Sequence, residues 1–177
     1  MSRLYGPVER KPRNEYGTLH LVRFLGIDYG RRRIGLALSD PSGLLSRPWK
    51  TLASHGNRQA VAKMIGAEIS QLLAEDDGLA GIVLGYPRKL GGEPTDQTPA
   101  VTALAEALRL SVSIPVVLQD ERLSSREAES LLARRIKNWR DRKPLLDAAS
   151  AAVILQDYLD GRVPMPDRVA GPEDLES

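Results

Sequence analysis

Short apolar runs and longer segments of helical spacing divide the chain into strands and helices. The first run, residues 22–28, ends in a carboxylate, and residues 33–39 alternate apolar and polar side chains after a turn that contains Gly30. Two such segments joined by a short turn predict a β-hairpin. A weaker strand is expected at residues 47–52.

The rest of the chain alternates between helical and strand patterns. Residues 58–74 carry apolar side chains at three- and four-residue spacing, which predicts an amphipathic helix. The later elements are a strand at 81–85, a helix around 101–108, a strand at 115–118, a helix that starts at Ser124, and a last helix from Pro144 to about Leu159. This order predicts an α/β fold whose mixed sheet is antiparallel in the hairpin, parallel elsewhere and flanked by helices.

One domain accounts for the patterned part of the chain. With 177 residues and 42% hydrophobic content, the chain can bury a single core. We assign residues 22–160 to this domain, 1–21 to a disordered N-terminal extension and 161–177 to a flexible C-terminal tail. No apolar run reaches the roughly 20 residues that span a bilayer and no signal peptide is recognisable, so we expect a cytoplasmic protein without a membrane partner.

Composition excludes several kinds of site. Cysteine is absent and only two histidines occur, so a disulfide framework, a zinc site and a Ser-His-Asp triad are all hard to build. A metal would have to be bound mainly through oxygen, which favours Mg²⁺ or Mn²⁺. The net charge of +2 permits a polyanionic partner but is weak evidence alone.

The first candidate for chemistry is Asp28, which lies within the apolar hairpin. An ionised carboxylate is expensive to bury without a partner, and a metal ion is one such partner. The alternative is that Asp28 caps the turn by accepting hydrogen bonds from backbone N–H groups. The residue pattern does not decide between the two interpretations. Asp40, before Pro41, is interpreted as a turn residue.

Two further acids could join Asp28. Glu121 follows the strand at 115–118 and is favoured over Asp120, because neighbouring side chains on a strand point to opposite faces; a surface ion pair with Arg122 is the alternative. Asp147 begins an alanine-rich helix and shares its inner face, although it would also interact favourably with the helix N-terminus. Three converging acids could hold two divalent ions about 3.5–4 Å apart, an arrangement that suits phosphodiester cleavage.

Basic side chains recur beside these acids. The candidates for contacts with phosphates are Arg31, Arg32, Arg33, Arg88, Lys89, Arg134, Arg135 and Lys137. Each cluster alone would be an ordinary solvated surface, and their repetition favours a nucleic-acid partner. Tyr86 offers either a stacking platform for a base or a core side chain.

Five motifs together resemble the YqgF/RuvX family of Holliday junction resolvases, also described as pre-16S rRNA nucleases. They are GIDYG at 26–30, RIG at 33–35, IVLGYP at 82–87, DERLS at 120–124 and LDAASAA at 146–152. The resemblance covers roughly residues 23–160. It departs in the middle loop, where the family usually reads Gly-Leu-Pro-Leu-Asn and this chain has Tyr86, Arg88 and Lys89, and the N-terminal extension has no counterpart.

The resemblance implies an RNase H-like fold and a bacterial cytoplasmic nuclease whose acidic site is Asp28, Glu121 and Asp147. Its substrate would be precursor ribosomal RNA at the 16S 5′ end or four-way, branched DNA. Paired symmetric cuts in a junction would favour a homodimer. It also implies metal dependence, with Mg²⁺ or Mn²⁺, in two copies, as the expected cofactor.

Two other functions compete with the nuclease. GIDYG also looks like the first phosphate loop of actin-like and sugar-kinase ATPases, but those need a second domain of similar size and a second copy of the loop, and this chain has neither. A non-catalytic module that binds ribosomal RNA through its basic face is the other alternative. Three converging negative charges would not help such a module to bind a polyanion.

Overall fold

A computed structural model describes residues 22–89, 91–120 and 145–162. The strands are β1 (Arg23–Tyr29), β2 (Arg33–Ser39), β3 (Ser46–Ala53), β4 (Leu79–Tyr86) and β5 (Val116–Asp120), and the helices are α1 (Arg58–Leu73), α2 (Thr98–Ser111) and α3 (Leu146–Asp160). The helix predicted from Ser124 and the basic stretch at 134–143 lie outside the described residues. Within those residues, no helix is both long and apolar enough to span a membrane.

The five strands form one mixed sheet in the order β3-β2-β1-β4-β5. β1, β2 and β3 pair antiparallel, whereas β4 joins β1 in parallel and β5 joins β4 in parallel. The predicted mixed sheet is therefore confirmed, and its strand order is that of an RNase H-like fold. The parallel strands β1, β4 and β5 end at the same edge of the sheet, where α/β proteins commonly bind ligands.

The two faces of the sheet are covered by different helices. On one face, alternate residues of the strands pack with α1 and α2 into the main core, which includes Leu25, Ile27, Ile65 and Leu104. On the other face, α3 contributes Ala151, Ile154 and Leu155 to a smaller cluster with Phe24, Ala37 and Val83. Each large side chain removed from water in this way contributes about 1.5–3 kcal/mol. The two-residue period of the strands thus decides which side chains meet α3.

Helix α3 packs closely against the sheet at two glycines. A Cβ on Gly26 would lie 2.8 Å from Leu155 Cβ and 2.9 Å from the Ala151 carbonyl oxygen. A Cβ on Gly35 would overlap the backbone carbonyl oxygen of Asp147. Neither contact leaves room for a side chain, so the glycines allow the first turns of α3 to rest directly on β1 and β2.

Candidate active site

Asp28 stands near the carboxyl end of β1, beside the start of α3. It pairs across the hairpin with Gly35, so both residues face the same side of the sheet. Because the Asp147 carbonyl fills the space where a Gly35 side chain would lie, Asp28 and Asp147 are brought into one small region. The placement arises from the antiparallel register and the missing side chain of Gly35 together.

The hairpin turn does not use Asp28 as a cap. The Gly30 N–H donates to the Arg33 carbonyl at 3.0 Å and closes the turn through the backbone. Within the described residues, the Asp28 carboxylate accepts no hydrogen bond that would hold it ionised. Asp40, in contrast, accepts hydrogen bonds from the N–H groups of Leu44 and Leu45, as expected of a turn residue.

Burial, and secondly the negative charge of Asp147, raises the pKa of Asp28 from 3.8 to about 6. Burial disfavours the ionised form because it removes water, and a neighbouring carboxylate disfavours it further by repulsion. Groups with perturbed pKa values of this kind concentrate at functional sites. The repulsion between these two carboxylates is of the kind that a bound cation would relieve.

Asp147 occupies the first turn of α3, and 24% of its side chain is exposed. Its Oδ2 atom lies 2.7 Å from Arg33 Nε, in an ion pair that links α3 to β2. That oxygen is buried and accepts no hydrogen bond from the described part of the chain. The Nε–H bond of Arg33 therefore does not point at Asp147 Oδ2. The two groups form a close contact between opposite charges without a hydrogen bond.

The donor set of this region fits a hard divalent cation. Asp28 and Asp147 supply carboxylate oxygens, which Mg²⁺ and Mn²⁺ prefer, and Asp147 Oδ2 is a buried acceptor with no hydrogen bond from any described residue. Among the described residues, no group of three metal-binding side chains comes together. The structure therefore joins two of the three predicted acids, and Glu121 lies outside the described residues.

The predicted phosphate contacts occupy different positions around this edge. Arg31 and Arg32 are exposed in the turn between β1 and β2, and the Ser54 N–H donates to the Arg32 carbonyl at 2.9 Å, which ties this turn to the end of β3. Arg33 does not simply face solvent, because its guanidinium lies against Asp147 while 40% of its side chain remains exposed. Arg134, Arg135 and Lys137 lie outside the described residues.

Arg88 and Lys89 are held in an ordered loop after β4. The Thr98 hydroxyl donates to the Pro87 carbonyl at 2.8 Å, and the Lys89 N–H donates to the Glu93 carbonyl at 2.9 Å. Both basic side chains are exposed. Tyr86 is partly buried against the main core, with the Arg88 guanidinium 5.1 Å from the centre of its ring, which supports its interpretation as a core side chain.

The family model described as "RuvX: Holliday junction resolvase" matches residues 22–161. The chain belongs to the RuvX family. RuvX membership makes it a nuclease, a hydrolase that acts on phosphodiester bonds, and confirms the family resemblance of the five sequence motifs.

Curated relatives of this RuvX chain agree with that assignment. A "Putative pre-16S rRNA nuclease" of Leifsonia xyli is 40% identical over 139 residues, 77% of this chain and 84% of that protein. A protein of the same name from Chloroflexus aurantiacus is 35% identical over 144 residues, 81% of this chain and 90% of that protein. A solved structure of RuvC from T. thermophilus with a Holliday junction substrate aligns at a TM-score of 0.46 and 15% identity, over 80% of this chain and 95% of that one.

Two features of the candidate site are not indicated by the sequence. Arg33 is a phosphate candidate by its sequence, whereas in the structure it lies against Asp147, which is 114 positions away in the chain. Gly35 stands out in the sequence only as part of a motif, yet its missing side chain lets the backbone of Asp147 approach β2 beside Asp28. The register of the predicted hairpin, which places Gly35 opposite Asp28, is the signal that could have found the second feature.

Proposed function

We propose that the chain is a divalent-metal-dependent endonuclease that cuts structured nucleic acid, and that it processes the 5′ end of pre-16S rRNA. The observation that carries the metal site is the pair of carboxylates, Asp28 and Asp147, in which burial and Asp147 together raise the pKa of Asp28 to about 6. A divalent cation would relieve the repulsion between the two carboxylates and neutralise their buried negative charge. The names of the curated relatives support the RNA substrate.

Glu121 is proposed as the third ligand. It follows Asp120, the last residue of β5, and β5 is two strands away from β1 in the same sheet. The register places Ile27 beside Leu84 and Leu84 beside Leu118, so the ends of these strands are level. The alternation that puts Val116 into the α1–α2 core favours the opposite face, that of Asp28, for position 121.

Each of the chain's own groups would have a defined role in this reaction. Mg²⁺ or Mn²⁺ ions, when bound, would supply an activated water and stabilise the oxygen that leaves. Asp28 and Asp147 would hold these cations through their carboxylate oxygens. Arg31, Arg32, Arg88 and Lys89 bind phosphates on either side of the acids, which gives affinity without choice of sequence.

The test is cleavage of a 5′-extended 16S precursor RNA and of a four-way DNA junction, each with Mg²⁺ or Mn²⁺. We expect cleavage of the RNA by the wild-type protein and a loss of at least about a hundredfold in Asp28→Asn and Asp147→Asn. Asp76→Asn, which removes an exposed carboxylate from the turn after α1, serves as the control and should cut normally. Binding of RNA without cleavage under either metal would instead identify a non-catalytic rRNA-binding module.

Junction resolution is the second candidate, because the matching family model carries that description. Paired cuts at symmetric positions require two active sites related by a twofold axis, which a homodimer provides. Efficient and symmetric cutting of the DNA junction, together with a dimer in solution, would favour this role. A monomer that cuts only the RNA would exclude it.

A further inference from the structure

We propose that Arg33 is the internal counter-ion of Asp147, and that a divalent cation displaces it from that carboxylate when the metal site fills. The inference rests on the metal site of the proposed function and assigns a role to a residue next to it. It starts from one contact, the 2.7 Å approach of Arg33 Nε to Asp147 Oδ2. In this role Arg33 acts through Asp147 and is a positioning residue for the site.

The geometry of the contact favours neutralisation of charge over a rigid clamp. A guanidinium that fixes a carboxylate normally does so through aligned N–H···O hydrogen bonds, often two in parallel. Asp147 Oδ2 accepts no such bond within the described residues, although it is buried and Nε is close. The attraction is therefore mainly Coulombic, and it does not depend on one orientation of the arginine.

The carboxylate that Arg33 contacts is one that a metal ion beside Asp28 would need. Asp147 can serve as a ligand beside Asp28 only if its carboxylate turns its electron pairs to the cation, and a positive guanidinium at 2.7 Å from Oδ2 opposes a second positive charge there. Arg33 and the metal ion consequently compete for Asp147. Filling the site with metal should release the guanidinium from this contact.

The Arg33 side chain can move toward solvent when it leaves Asp147. With 40% of its side chain exposed, it sits at the start of β2, directly after the exposed Arg31 and Arg32. A freed guanidinium would join these two residues where a phosphate backbone passes the acids. Metal binding and nucleic-acid binding would then strengthen each other, since each favours the same position of Arg33.

The first experiment measures binding of Mn²⁺ alone to the full chain by isothermal titration calorimetry. We expect Arg33→Gln to bind Mn²⁺ about three- to fivefold more tightly than the wild type, because the competing charge is gone. Arg32→Gln is the matched control: it removes the same charge from the neighbouring position and should change the affinity much less. Arg33→Lys keeps the charge and should stay close to the wild type.

A spectroscopic readout follows the guanidinium itself. In the wild type, the Nε–Hε NMR signal of Arg33, assigned by its absence in Arg33→Lys, should shift or be lost to exchange with water on addition of Mg²⁺, while that of Arg32 stays in place. In an Asp147→Asn background, the effect of Arg33→Gln on metal affinity should vanish, because the shared carboxylate is absent.

Weaker or unchanged Mn²⁺ binding in Arg33→Gln, relative to Arg32→Gln, would overturn the exchange and leave the nuclease proposal standing. If the wild type bound no Mn²⁺ that depends on Asp28, the metal site of the proposed function would fail as well. The two failures can be told apart. If only the role of Arg33 is wrong, the wild type still binds Mn²⁺ more tightly than Asp28→Asn, whereas if the metal site is wrong, the two proteins bind Mn²⁺ equally.

Discussion

When no metal is bound, the ionised Asp28 carboxylate lowers the stability of the folded protein at neutral pH. Its folded pKa of about 6 lies above the unfolded value of 3.8, so between these two pH values the folded state holds a proton that the unfolded state has lost. The stability that this group contributes is fully present below pH 3.8, and it is lost as the pH rises through the folded pKa of about 6. At neutral pH the penalty is roughly 1.5–3 kcal/mol.

Asp28→Asn should therefore raise the melting temperature of the metal-free protein by several degrees at neutral pH, because the uncharged amide avoids the cost of burial. The gain should shrink as the pH falls toward 4, where the wild type is protonated as well. Thermal unfolding with a chelator present, across this pH range, measures the effect. Asp76→Asn is the control, and an equal gain for both variants at every pH would show that Asp28 is not the cause.

The sequence indicates Asp28 and Asp147 as candidate residues, whereas it does not indicate which side chains lie beside them. Asp28 and Asp147 stand in motifs with apolar surroundings, which makes a carboxylate conspicuous. The ion pair of Arg33 depends on how α3 docks onto β2, and residue spacing carries no information on a contact between positions so far apart. A run of three arginines gives no local sign that its last member turns inward.

At the scale of elements, the docking of α3 on the sheet sets the site. The Asp147 carbonyl takes the place of a Gly35 side chain, so any larger residue there must push the first turn of α3 away from β2. A displacement of that turn would also separate Asp147 from Asp28. Stability and the metal site thus depend on the same close contact.

We expect Gly35→Ala to lower the free energy of unfolding by about 3 kcal/mol or more and to weaken binding of Mn²⁺. Gly26→Ala should have a smaller effect, because its nearest contacts, Leu155 Cβ at 2.8 Å and the Ala151 carbonyl oxygen at 2.9 Å, overlap a Cβ much less than the Asp147 carbonyl does at Gly35. Urea unfolding of the full chain and calorimetry with Mn²⁺ give the two readouts.

Gly66→Ala provides the control for this prediction. A Cβ at Gly66, in α1, would meet no atom of another element within 4 Å, so alanine there should stabilise the helix by about 0.5–1 kcal/mol. If Gly35→Ala proved as harmless as Gly66→Ala, the close approach of α3 would not hold in solution.

The elements themselves were predictable to the extent that their periodicity is undisturbed. The helix expected at 58–74 is α1, Arg58–Leu73, and the strand expected at 33–39 is β2. β3 gives a weak signal because Pro48 and a register shift opposite Leu36 and Ala37 interrupt its alternation. The last helix, expected to open at Pro144, is described from Leu146, since Leu145 is its N-cap.

For the whole molecule, the arrangement of charge matters more than its sum. The net charge is only +2, yet exposed basic residues stand on both sides of the acids at one edge of the sheet, in the β1–β2 turn and in the loop after β4. Composition alone could not predict this, because the strand order decides which loops become neighbours. A nucleic acid that follows this edge would pass over Asp28 and Asp147.

The exposed basic residues at this edge should determine how nucleic-acid binding depends on salt concentration. Each phosphate contact contributes about 0.7–0.9 to the slope of log K against log salt concentration, because binding releases condensed counterions. The double variant Arg88→Ala, Lys89→Ala should therefore lower the slope by about 1.5 and weaken binding about equally for different sequences. Titration of a labelled duplex without divalent metal, where no cleavage is expected, measures this without interference.

The matched control is Lys63→Ala, an exposed lysine on α1, which packs on the face of the sheet opposite α3. Removing its charge lowers the net charge but should leave the slope unchanged, since it is not at the strand edge. An equal loss of slope in both variants would mean that net charge attracts the nucleic acid and that no defined track exists. A loss confined to Arg88 and Lys89 would place the substrate backbone across the end of β4, beside the acids that are proposed to cut it.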